Sequence, residues 1–520
     1  MMITLRPYQV TPIRKAIDYF RESDPEPALI VCPTAWGKSL MAAEVAAACP
    51  DPILVVQPTK ELLEQNLSKY RLLCGDLAPA GIYSASFGKK QIDHVTFATI
   101  GSIKSIGAQF RQLGFKKMLI DEVHLYPRTS ESMLGQFLKD SGITHVLGIT
   151  ATPLKQEHFS EKAGERFNKW SELIMLTNPA PSGNFFKRII HVSQVREMTG
   201  QGFWSPLRYE VLPFDRSALK LNTSGNEYED QSVVESYILN NVRANIYAAL
   251  DWHTERKHCL VFVPSVEEAA ILAADYPDAA MVCGETPKKE RAAIIDAFRT
   301  GKIRVLFNVA VLGTGFDYPE IDMIVFAMST ASVARYYQFA GRGVRIAPHK
   351  KDCVVVDMGG NVERFGRIED ISFEFDGKWR MFGSGGTLLS GLPVQCVGNV
   401  TKGDLDAGWA SAYSWDTITF GKHKGKRFED VPVYYLAWLL TTDNFGRDYY
   451  LRARAVVAME NHIRDTRLDP PATVMPDGKH AGEQISTVPS GYLRYYYGSK
   501  DWNETNDSLR RGILAYLKTA

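Results

Sequence analysis

The stretch Val31-Cys-Pro-Thr-Ala-Trp-Gly-Lys-Ser39 decides how the rest of the chain is interpreted. It follows the apolar run Ala28–Val31, which predicts a buried strand, and precedes residues 40–47, whose composition favours a helix. A strand, a short loop ending in Gly-Lys-Ser and a helix form a phosphate-binding loop, because the N–H groups of the helix N-terminus attract an anion. In such a loop Lys38 reaches the outer phosphates and the Ser39 hydroxyl ligates Mg²⁺.

The loop departs from the usual pattern at two places. Cys32 stands at the first glycine, and Ala35-Trp36 stands where a small, glycine-containing pair is usual. Because a lone Gly-Lys-Ser is also common by chance, this interpretation depends on motifs further along the chain.

The composition is that of a globular chain with several domains. Its 520 residues are enough for about two to four domains, and 45% of them are apolar. The formal net charge is +1, so any nucleic-acid site must be a local basic patch. The seven cysteines include no Cys-x-x-Cys, so we expect no zinc and no disulfide framework. Without a signal peptide or an apolar run of membrane length, we expect a cytoplasmic protein with no membrane partner.

Two adjacent carboxylates follow another predicted strand, at 117–120. Asp121 is expected to hold Mg²⁺ beside Ser39, and Glu122 is expected to orient the attacking water. An unaccompanied Asp-Glu pair in a turn is commonly structural, but here the next predicted strand, 146–150, ends in the paired hydroxyls of Thr150 and Thr152. Residues 52–57 and 94–98 predict two further strands.

The N-terminal segment Arg6-Pro-Tyr-Gln9 has two interpretations. The Gln9 amide can pair with both the donor and the acceptor on an adenine edge, while Arg6 or Tyr8 stacks on the ring. The same residues also suit a polar turn that caps the helix predicted at 12–20.

In order and spacing, these four segments resemble the Q motif and motifs I, II and III of superfamily 2 helicases of the DExH type. The resemblance implies an α/β fold with two tandem RecA-like parallel-sheet domains, with ATP and Mg²⁺ bound between them. It implies ATP contacts from one set of residues in the first domain: Arg6, Gln9, Pro33, Thr34, Ala35, Trp36, Gly37, Lys38 and Ser39.

The second α/β block is predicted from helices at 231–254 and 288–300 and strands at 259–263, 305–308 and 323–327. Its glycine loop at 311–319 resembles motif V, which implies that Gly315 and Asp317 meet the nucleotide. Residues 338–345 resemble motif VI and imply roles for Gln338, Arg342 and Arg345. We predict both arginines on one helix face, where both guanidinium groups reach one γ-phosphoryl group. The predicted catalytic residues are Lys38, Asp121, Glu122, Gln338, Arg342 and Arg345.

Further residues at motifs Ia, Ib, IV and V are expected to hold a nucleic-acid backbone without reading its sequence. They are Thr59, Lys60, Thr99, Ser102, Pro264, Ser265 and Thr314. Over about residues 1–365 the chain resembles RadD-type DNA helicases, which are related to the helicase subunits of type III restriction enzymes.

The last third departs from that family, since no cysteine follows Cys396 and a RadD-type zinc module is therefore not expected. Instead, Gly-Lys-His-x-Gly, Val-Pro and Tyr-Leu-x-aromatic recur at an offset of 57 residues, starting at Gly421 and Gly478. The first copy resembles the small C-terminal module of exonuclease X-like proteins, which implies DNA binding. Tyr434, Trp438, Tyr495 and Trp502 are either base-stacking residues or the cores of the small modules. The expected phosphate contacts are Lys422, His423, Lys424, Lys426 and Arg427.

These observations predict a first motor domain at 1–225, a second at 230–395, a GKHKG-type module at 400–465 and a divergent copy at 470–520. The helix-then-strand segment 195–209 is expected to close the first domain, and 222–230 is expected to be a linker.

The predicted function is that of an ATP-dependent DNA helicase or translocase acting on single-stranded, forked or branched DNA in a bacterial or phage-infected cytoplasm. The sequence does not indicate which protein partners the chain has. Two alternatives stay open. One is an RNA helicase. The other is an ATP-gated clamp that binds branched DNA without unwinding it, because the bulky indole of Trp36 in the phosphate loop could slow turnover.

Overall fold

The computed structural model describes most of the first 404 residues and scattered parts of the rest. The described residues are 4–75, 78–126, 132–163, 166–178, 184–309, 311–312, 318–404, 418, 421–424, 426–433, 435–436, 439, 455, 458–459, 475–476, 479–489, 492–493 and 496, without the side chains of 159–163, 166–170 and 395. Among them, no helix combines the length and the apolar character that crossing a bilayer requires.

The first 192 residues contain six helices among their described parts, several of them short. They are α1 (Pro7–Tyr19), α2 (Lys38–Ala48), α3 (Lys60–Cys74), α4 (Ile100–Ile103), α5 (Gly107–Gln112) and α6 (Met133–Ser141). The strands are β1 (Ala28–Val31), β2 (Ile53–Gln57), β3 (Gly81–Ser84), β4 (Lys89–Lys90), β5 (Val95–Thr99), β6 (Lys117–Asp121), β7 (His145–Thr150), β8 (Leu154–Ala163), β9 (Arg166–Met175) and β10 (Arg188–Val192).

The first sheet has the strand order β10-β1-β7-β6-β2-β5-β3-β4 and is parallel except for the edge strand β4. Strands β1, β2 and β6 are buried along their whole length, which explains the apolar runs 28–31, 53–56 and 118–120 within them. Because the strands are parallel, the residues after β1, β2, β5, β6 and β7 meet at one edge of the sheet.

The remaining helices and strands follow in the same chain order. The helices are α7 (Val195–Gly200), α8 (Asp230–Leu239), α9 (Val242–Trp252), α10 (Val266–Asp275), α11 (Lys288–Arg299), α12 (Val333–Ala340) and α13 (Asn361–Phe365). The strands are β11 (Leu207–Val211), β12 (Cys259–Phe262), β13 (Ala279–Val282), β14 (Val305–Asn308), β15 (Met323–Phe326), β16 (Cys353–Asp357), β17 (Ser372–Phe375), β18 (Trp379–Phe382) and β19 (Leu392–Pro393). Short 3-10 turns lie at Ala85–Phe87, Val123–Leu125, Ile368–Asp370, Ser384–Gly386, Val394–Cys396, Phe428–Asp430 and Ile485–Thr487.

The second sheet is parallel, with the order β11-β16-β15-β12-β14-β13. Strand β11 therefore belongs to the second domain, and the prediction that segment 195–209 closes the first domain is wrong for its strand. The alternating sequence Leu207-Arg-Tyr-Glu-Val211 suits an edge strand with one wetter face, and β11 pairs with the buried β16. The change of domain lies between β10 and β11, earlier than the predicted 225–230.

Two predicted helices are shorter than expected. The helix predicted at 231–254 is two helices, because Asn241 adopts a left-handed φ of 50° and the Asn240 amide pairs with both the N–H and the carbonyl of Asp215.

The motif VI helix α12 ends at Ala340, before both arginines, so the prediction that Arg342 and Arg345 share a helix face is wrong. Gly341 and Gly343 favour this end, since glycine disfavours a helix interior.

A long antiparallel hairpin, β8–β9, leaves the first domain directly after Thr150-Ala-Thr-Pro153. Strand β19 from the end of the second domain pairs with β9, so this small sheet joins chain segments from both domains. The alternating polar sequence of the hairpin carries no motif, and the sequence did not predict it.

Candidate active site

A cavity of about 460 Å³ lies between the two domains, at the carboxyl ends of the strands of the first sheet. A cavity of this size suits a nucleotide. Its lining comprises Thr4, Arg6, Gln9, Thr34, Ala35, Trp36, Gly37, Lys38, Ser39, Leu40, Leu62, Gln65, Lys69, Asp121, Glu122, Phe203, Pro319, Gln338, Gly341, Arg342, Arg345 and Ile346. All six predicted catalytic residues are therefore brought together, from both domains.

The phosphate loop depends on two left-handed residues. Gly37, with a φ of 97°, forms the N-cap of α2, and a Cβ there would lie 2.6 Å from Nε2 of Gln9. Ala35 also has a positive φ, of 55°, which is unfavourable for a residue with a side chain. The loop thus takes the tight path of a phosphate cradle although alanine replaces glycine.

Trp36 lines the cavity, but its indole is anchored within the first domain. Its side chain is fully buried, and its N–H donates to Oγ of Ser193, 3.0 Å away at the end of β10. The Trp36 carbonyl accepts from Nε2 of Gln9 at 2.9 Å and from the Tyr8 hydroxyl at 3.2 Å. The Trp204 indole donates to the Thr34 carbonyl at 3.2 Å. Side chains of Tyr8, Gln9 and Trp204 therefore fix the loop by hydrogen bonds to its backbone carbonyls.

Of the two interpretations of Gln9, the structure shows the helix-capping one, and the adenine contact stays a prediction. Its Oε1 accepts from the N–H of Arg6 at 2.9 Å, its Nε2 donates to the phosphate loop, and the residue is buried. The amide thus caps α1 and fixes the loop at once. Arg6 lies over the ring of Phe203, 5.1 Å from its centroid, at the rim of the cavity.

The paired carboxylates face the lysine of the loop. Nζ of Lys38 lies 3.1 Å from Oε1 of Glu122, and Glu122 has a left-handed backbone with a φ of 47°. Oδ1 of Asp121 accepts from the Glu122 N–H at 2.9 Å, and Oδ2 accepts from Nδ2 of Asn66 at 3.2 Å. Asn66 is fully buried in α3 and was missed by sequence reasoning, since nothing in its local sequence marks it.

The two carboxyl groups have opposite pKa shifts. Burial raises the pKa of Asp121, and the nearby Glu122 charge raises it further. Burial also acts to raise the pKa of Glu122, but the charge and hydrogen bond of Lys38, together with the charge of Arg342, outweigh it and lower that pKa below its ordinary value. Glu122 is therefore held ionised, as a group that orients water must be.

A hydrogen-bonded chain crosses the cleft through His124. Its Nδ1 lies 2.8 Å from Oγ1 of Thr150, and its Nε2 lies 3.1 Å from Nε2 of Gln338. The amide of Gln338 is the donor in that pair, so Nδ1 carries the imidazole proton and donates to Thr150. The N–H of Thr152 donates to Thr150 at 3.0 Å. Motifs II, III and VI are thus in direct contact.

The second domain closely approaches the phosphate loop. A Cβ on Gly341 would lie 2.5 Å from Oγ1 of Thr34, so only glycine allows this contact. Arg342 follows at once and is buried, and Arg345 is partly buried in the same cavity. A planar, permanently charged guanidinium is suited to the charge of a transferring phosphoryl group.

The residues present fit ATP and Mg²⁺. Buried oxygens of Thr34 and Glu122 receive no hydrogen bond from the described part of the chain, so polar ligand atoms can satisfy them. Asp121 and the Ser39 hydroxyl supply the oxygen ligands that Mg²⁺ prefers and would hold it. When bound, the ion neutralises charge on the phosphates.

The predicted backbone-binding residues lie at the carboxyl ends of strands, but several are already engaged. Oγ1 of Thr59 and Oγ of Ser265 cap α3 and α10, and Pro264 follows β12. Lys60 pairs with Glu64 and lies over the ring of Phe87. Oγ1 of Thr99 lies 3.0 Å from Oγ of Ser102. Thr314, Gly315 and Asp317 lie outside the described residues.

The two C-terminal tips share one local structure. His423 packs on Tyr435 and His480 packs on Tyr492, with ring centroids 4.4 and 4.6 Å apart, and each tyrosine hydroxyl accepts from the N–H of the lysine before the histidine. Only 7% of His423 is exposed, which does not favour the predicted phosphate contact of this residue. The other four predicted residues of the first tip are exposed: Lys422, Lys424, Lys426 and Arg427. Tyr434, Trp438, Tyr495 and Trp502 lie outside the described residues.

Two parallel-sheet domains with a phosphate loop and a carboxylate pair on one side of a cleft and arginines on the other define a two-domain P-loop motor. Family models agree with this class. The model described as "Type III restriction enzyme, res subunit" matches residues 2–155, and the model described as "Helicase conserved C-terminal domain" matches residues 241–347.

Individual relatives are distant. A "51.5 kDa protein" of Lactococcus phage (isolate 7-9) is 22% identical over 366 residues, which cover 68% of this chain and 71% of that protein. The DNA 3'-5' translocase XPB2 of Sulfurisphaera tokodaii is 24% identical over 392 residues, 67% of this chain and 80% of that one. The chain spans only 51% and 58% of the length of two further relatives.

One solved structure similar over nearly the whole chain is the ATP-dependent type ISP restriction-modification enzyme LlaBIII bound to DNA. It has a TM-score of 0.50 at 14% identity and covers 98% of this chain and 36% of that one, which shows a shared fold. The chain belongs to the superfamily 2 helicases. The more specific likenesses, to RadD-type helicases and to exonuclease X-like modules, stay predictions.

Proposed function

We propose that this protein is an ATP-dependent DNA helicase or translocase that couples ATP hydrolysis in the cleft to movement along DNA. One observation carries the proposal: Lys38 and Glu122 of the first domain face Arg342 and Arg345 of the second across one cavity. A site built from two domains changes their relative position when its contacts to the γ-phosphate change.

In this mechanism each residue has one task. Glu122 is ionised and orients the attacking water, while Lys38 and the two arginines stabilise charge that develops on the transferring phosphoryl group. His124 and Gln338 join the catalytic carboxylate to the second domain. Loss of the γ-phosphate removes the contacts that favour the closed cleft.

DNA is favoured over RNA by the relatives alone. The archaeal relative is named a DNA 3'-5' translocase and the type ISP enzyme is described as bound to DNA, and we propose DNA and the same polarity for this chain. The first C-terminal tip has exposed cations, which support binding of a phosphate backbone. We propose that this tip brings forked or branched DNA to the motor. We also propose a cytoplasmic location, because the seven cysteines are scattered and include no Cys-x-x-Cys, so the sequence predicts no disulfide framework.

The burial of the Trp36 indole and its bond to Ser193 give no support to the clamp alternative. The proposal is tested by ATP hydrolysis without nucleic acid and with single-stranded DNA, forked DNA or RNA, beside Glu122→Gln. We expect stimulation by DNA that Glu122→Gln abolishes, and greater stimulation by forks. Tight DNA binding without stimulated turnover would contradict a motor, and stimulation by RNA alone would contradict the choice of DNA.

A further inference from the structure

Residues 220–229 form a folded turn, here called the connector turn. The N–H of Glu229 donates to the carbonyl of Lys220, and the N–H of Asn222 donates to the carbonyl of Glu227, both at 2.8 Å. The Asn222 side chain closes the turn further, since its Oδ1 accepts from the N–H of Asn226 at 3.2 Å. The Asn, Ser and Gly composition that predicted a linker therefore builds an ordered element.

One side of the connector turn contacts the hairpin that leaves motif III. The Ser224 carbonyl accepts from Nε2 of Gln156 at 3.0 Å and from Oγ of Ser171 at 2.9 Å. Gly225 has a φ of 66°, and a Cβ there would lie 3.0 Å from the Ser171 hydroxyl. Gln156 lies on β8, four residues after Thr152, so this contact ties the turn to the end of motif III.

The other side of the connector turn contacts the start of the motif VI helix. The carboxylate of Glu227 accepts from Oγ1 of Thr330 at 2.6 Å, from the N–H of Ala331 at 2.5 Å and from Nη1 of Arg335 at 3.1 Å. Thr330 is itself buried. Charge-assisted bonds of this kind are strong and directional, so the carboxylate fixes the N-terminal end of α12.

The helix fixed in this way carries catalytic groups. Gln338 lies in α12, six residues after Ser332, and bonds to His124, while Arg342 follows the end of the helix. Motifs II and III are therefore joined to motif VI by two routes. The short route is the bond from His124 to Gln338, and the long one runs through β8, Ser224 and Glu227.

We infer that Glu227 is a positioning residue for motif VI, and that the connector turn holds α12 in register with motif III so that Arg342 meets the phosphoryl group. This inference rests on the proposed function, because its readout is DNA-stimulated ATP turnover. Glu227 touches no atom of the cavity and acts only through α12.

The test compares Glu227→Ala with Glu229→Ala, which removes the same charge from an exposed side chain two residues away. Glu227→Ala is expected to lower kcat for DNA-stimulated ATP hydrolysis by about tenfold, since misplacing a catalytic group by a fraction of an ångström is costly. The KM for ATP should change less than about twofold, because the phosphate loop lies in the other domain. Glu229→Ala should match the wild type in both.

A double-mutant cycle with Arg335→Ala separates positioning from general damage. If the carboxylate acts on α12, the Glu227→Ala/Arg335→Ala variant should be no slower than the slower single variant, because both changes break one link. The inference would be overturned if the two substitutions lowered kcat by factors that multiply in the double variant. It would also be overturned if Glu227→Ala lowered the unfolding temperature and raised KM without changing the kcat of the folded protein. Absence of DNA stimulation in the wild type would instead contradict the proposed function.

Discussion

At the scale of single residues, Ala35 stores strain in the phosphate loop. Its φ of 55° lies in the left-handed region that favours glycine. We predict that Ala35→Gly raises the stability of the first domain by about 1 kcal/mol. Thermal unfolding measures this, with Ala292→Gly in the exposed part of α11 as the control, which should lose about 1 kcal/mol. Equal effects of the two changes would refute a strained loop.

Substitution of Trp36 tests whether its bulky side chain slows ATP turnover or stabilises the phosphate loop. Because the indole is fully buried and bonded to Ser193, Trp36→Ala should cost about 3–5 kcal/mol of stability and should not speed ATP turnover. Unfolding temperature and kcat for the same preparation decide the question. A stable variant with faster turnover would show that the indole slows the motor.

Asn66 is expected to orient the carboxylate that would hold Mg²⁺. Asn66→Ala removes the bond to Oδ2 of Asp121, and loss of such a supporting bond typically weakens metal binding about 10- to 100-fold. Titration of Mg²⁺ binding by calorimetry in the presence of a non-hydrolysable nucleotide measures this effect. Ser68→Ala, on the exposed part of the same helix, is the control. Equal Mg²⁺ affinity in both variants would count against the role of Asn66.

Residues whose chemistry is tied to a short motif could be predicted from the sequence. Lys38, Asp121, Glu122 and Arg342 meet in one cavity as expected, because phosphate and metal chemistry restricts which side chains serve at each position. Asn66 and Ser193 could not be predicted. Their roles depend on which distant residue packs against them, and local sequence does not contain that information.

At the scale of elements, the central strands of the two parallel sheets could be predicted, because buried parallel strands have apolar sequences. Five strands of these sheets were not predicted: β3, β4, β10, β13 and β16. The half-exposed β11, by contrast, was predicted in the wrong domain. The alternation of polar and apolar residues indicates a strand, but it does not indicate which strand it pairs with. The Arg-x-x-Arg spacing suggests a continuing helix, but α12 ends at Ala340, where Gly341 precedes the two arginines and Gly343 separates them.

The first C-terminal tip should add a purely electrostatic term to DNA binding. We predict that replacing Lys422, Lys424, Lys426 and Arg427 with glutamine lowers DNA affinity and reduces the slope of log affinity against log salt by about 0.7 for each lost phosphate contact on single-stranded DNA. Fluorescence anisotropy across a salt series measures both quantities. Lys479→Gln at the corresponding tip of the second copy is the control, and an unchanged slope in the fourfold variant would exclude the first tip from the DNA site.

At the scale of the whole molecule, the account depends on contact between two domains that are far apart in sequence. The Gly341–Thr34 approach, the His124–Gln338 bond and the connector turn all join them. The family resemblance predicted the cleft, but not the connector turn. The composition of a turn indicates where the chain changes direction, but it does not indicate which other elements the turn contacts.

The central claim is that the second domain supplies a group to chemistry that occurs on the first. The most direct measurement compares nucleotide affinity with DNA-stimulated ATP turnover in Arg342→Ala and the wild type. We predict nearly unchanged nucleotide affinity and a fall in turnover of about a thousandfold, the effect typical of a lost arginine that contacts a transferring phosphoryl group. Turnover within a few fold of the wild type would contradict the account, because hydrolysis would then not require the closed cleft.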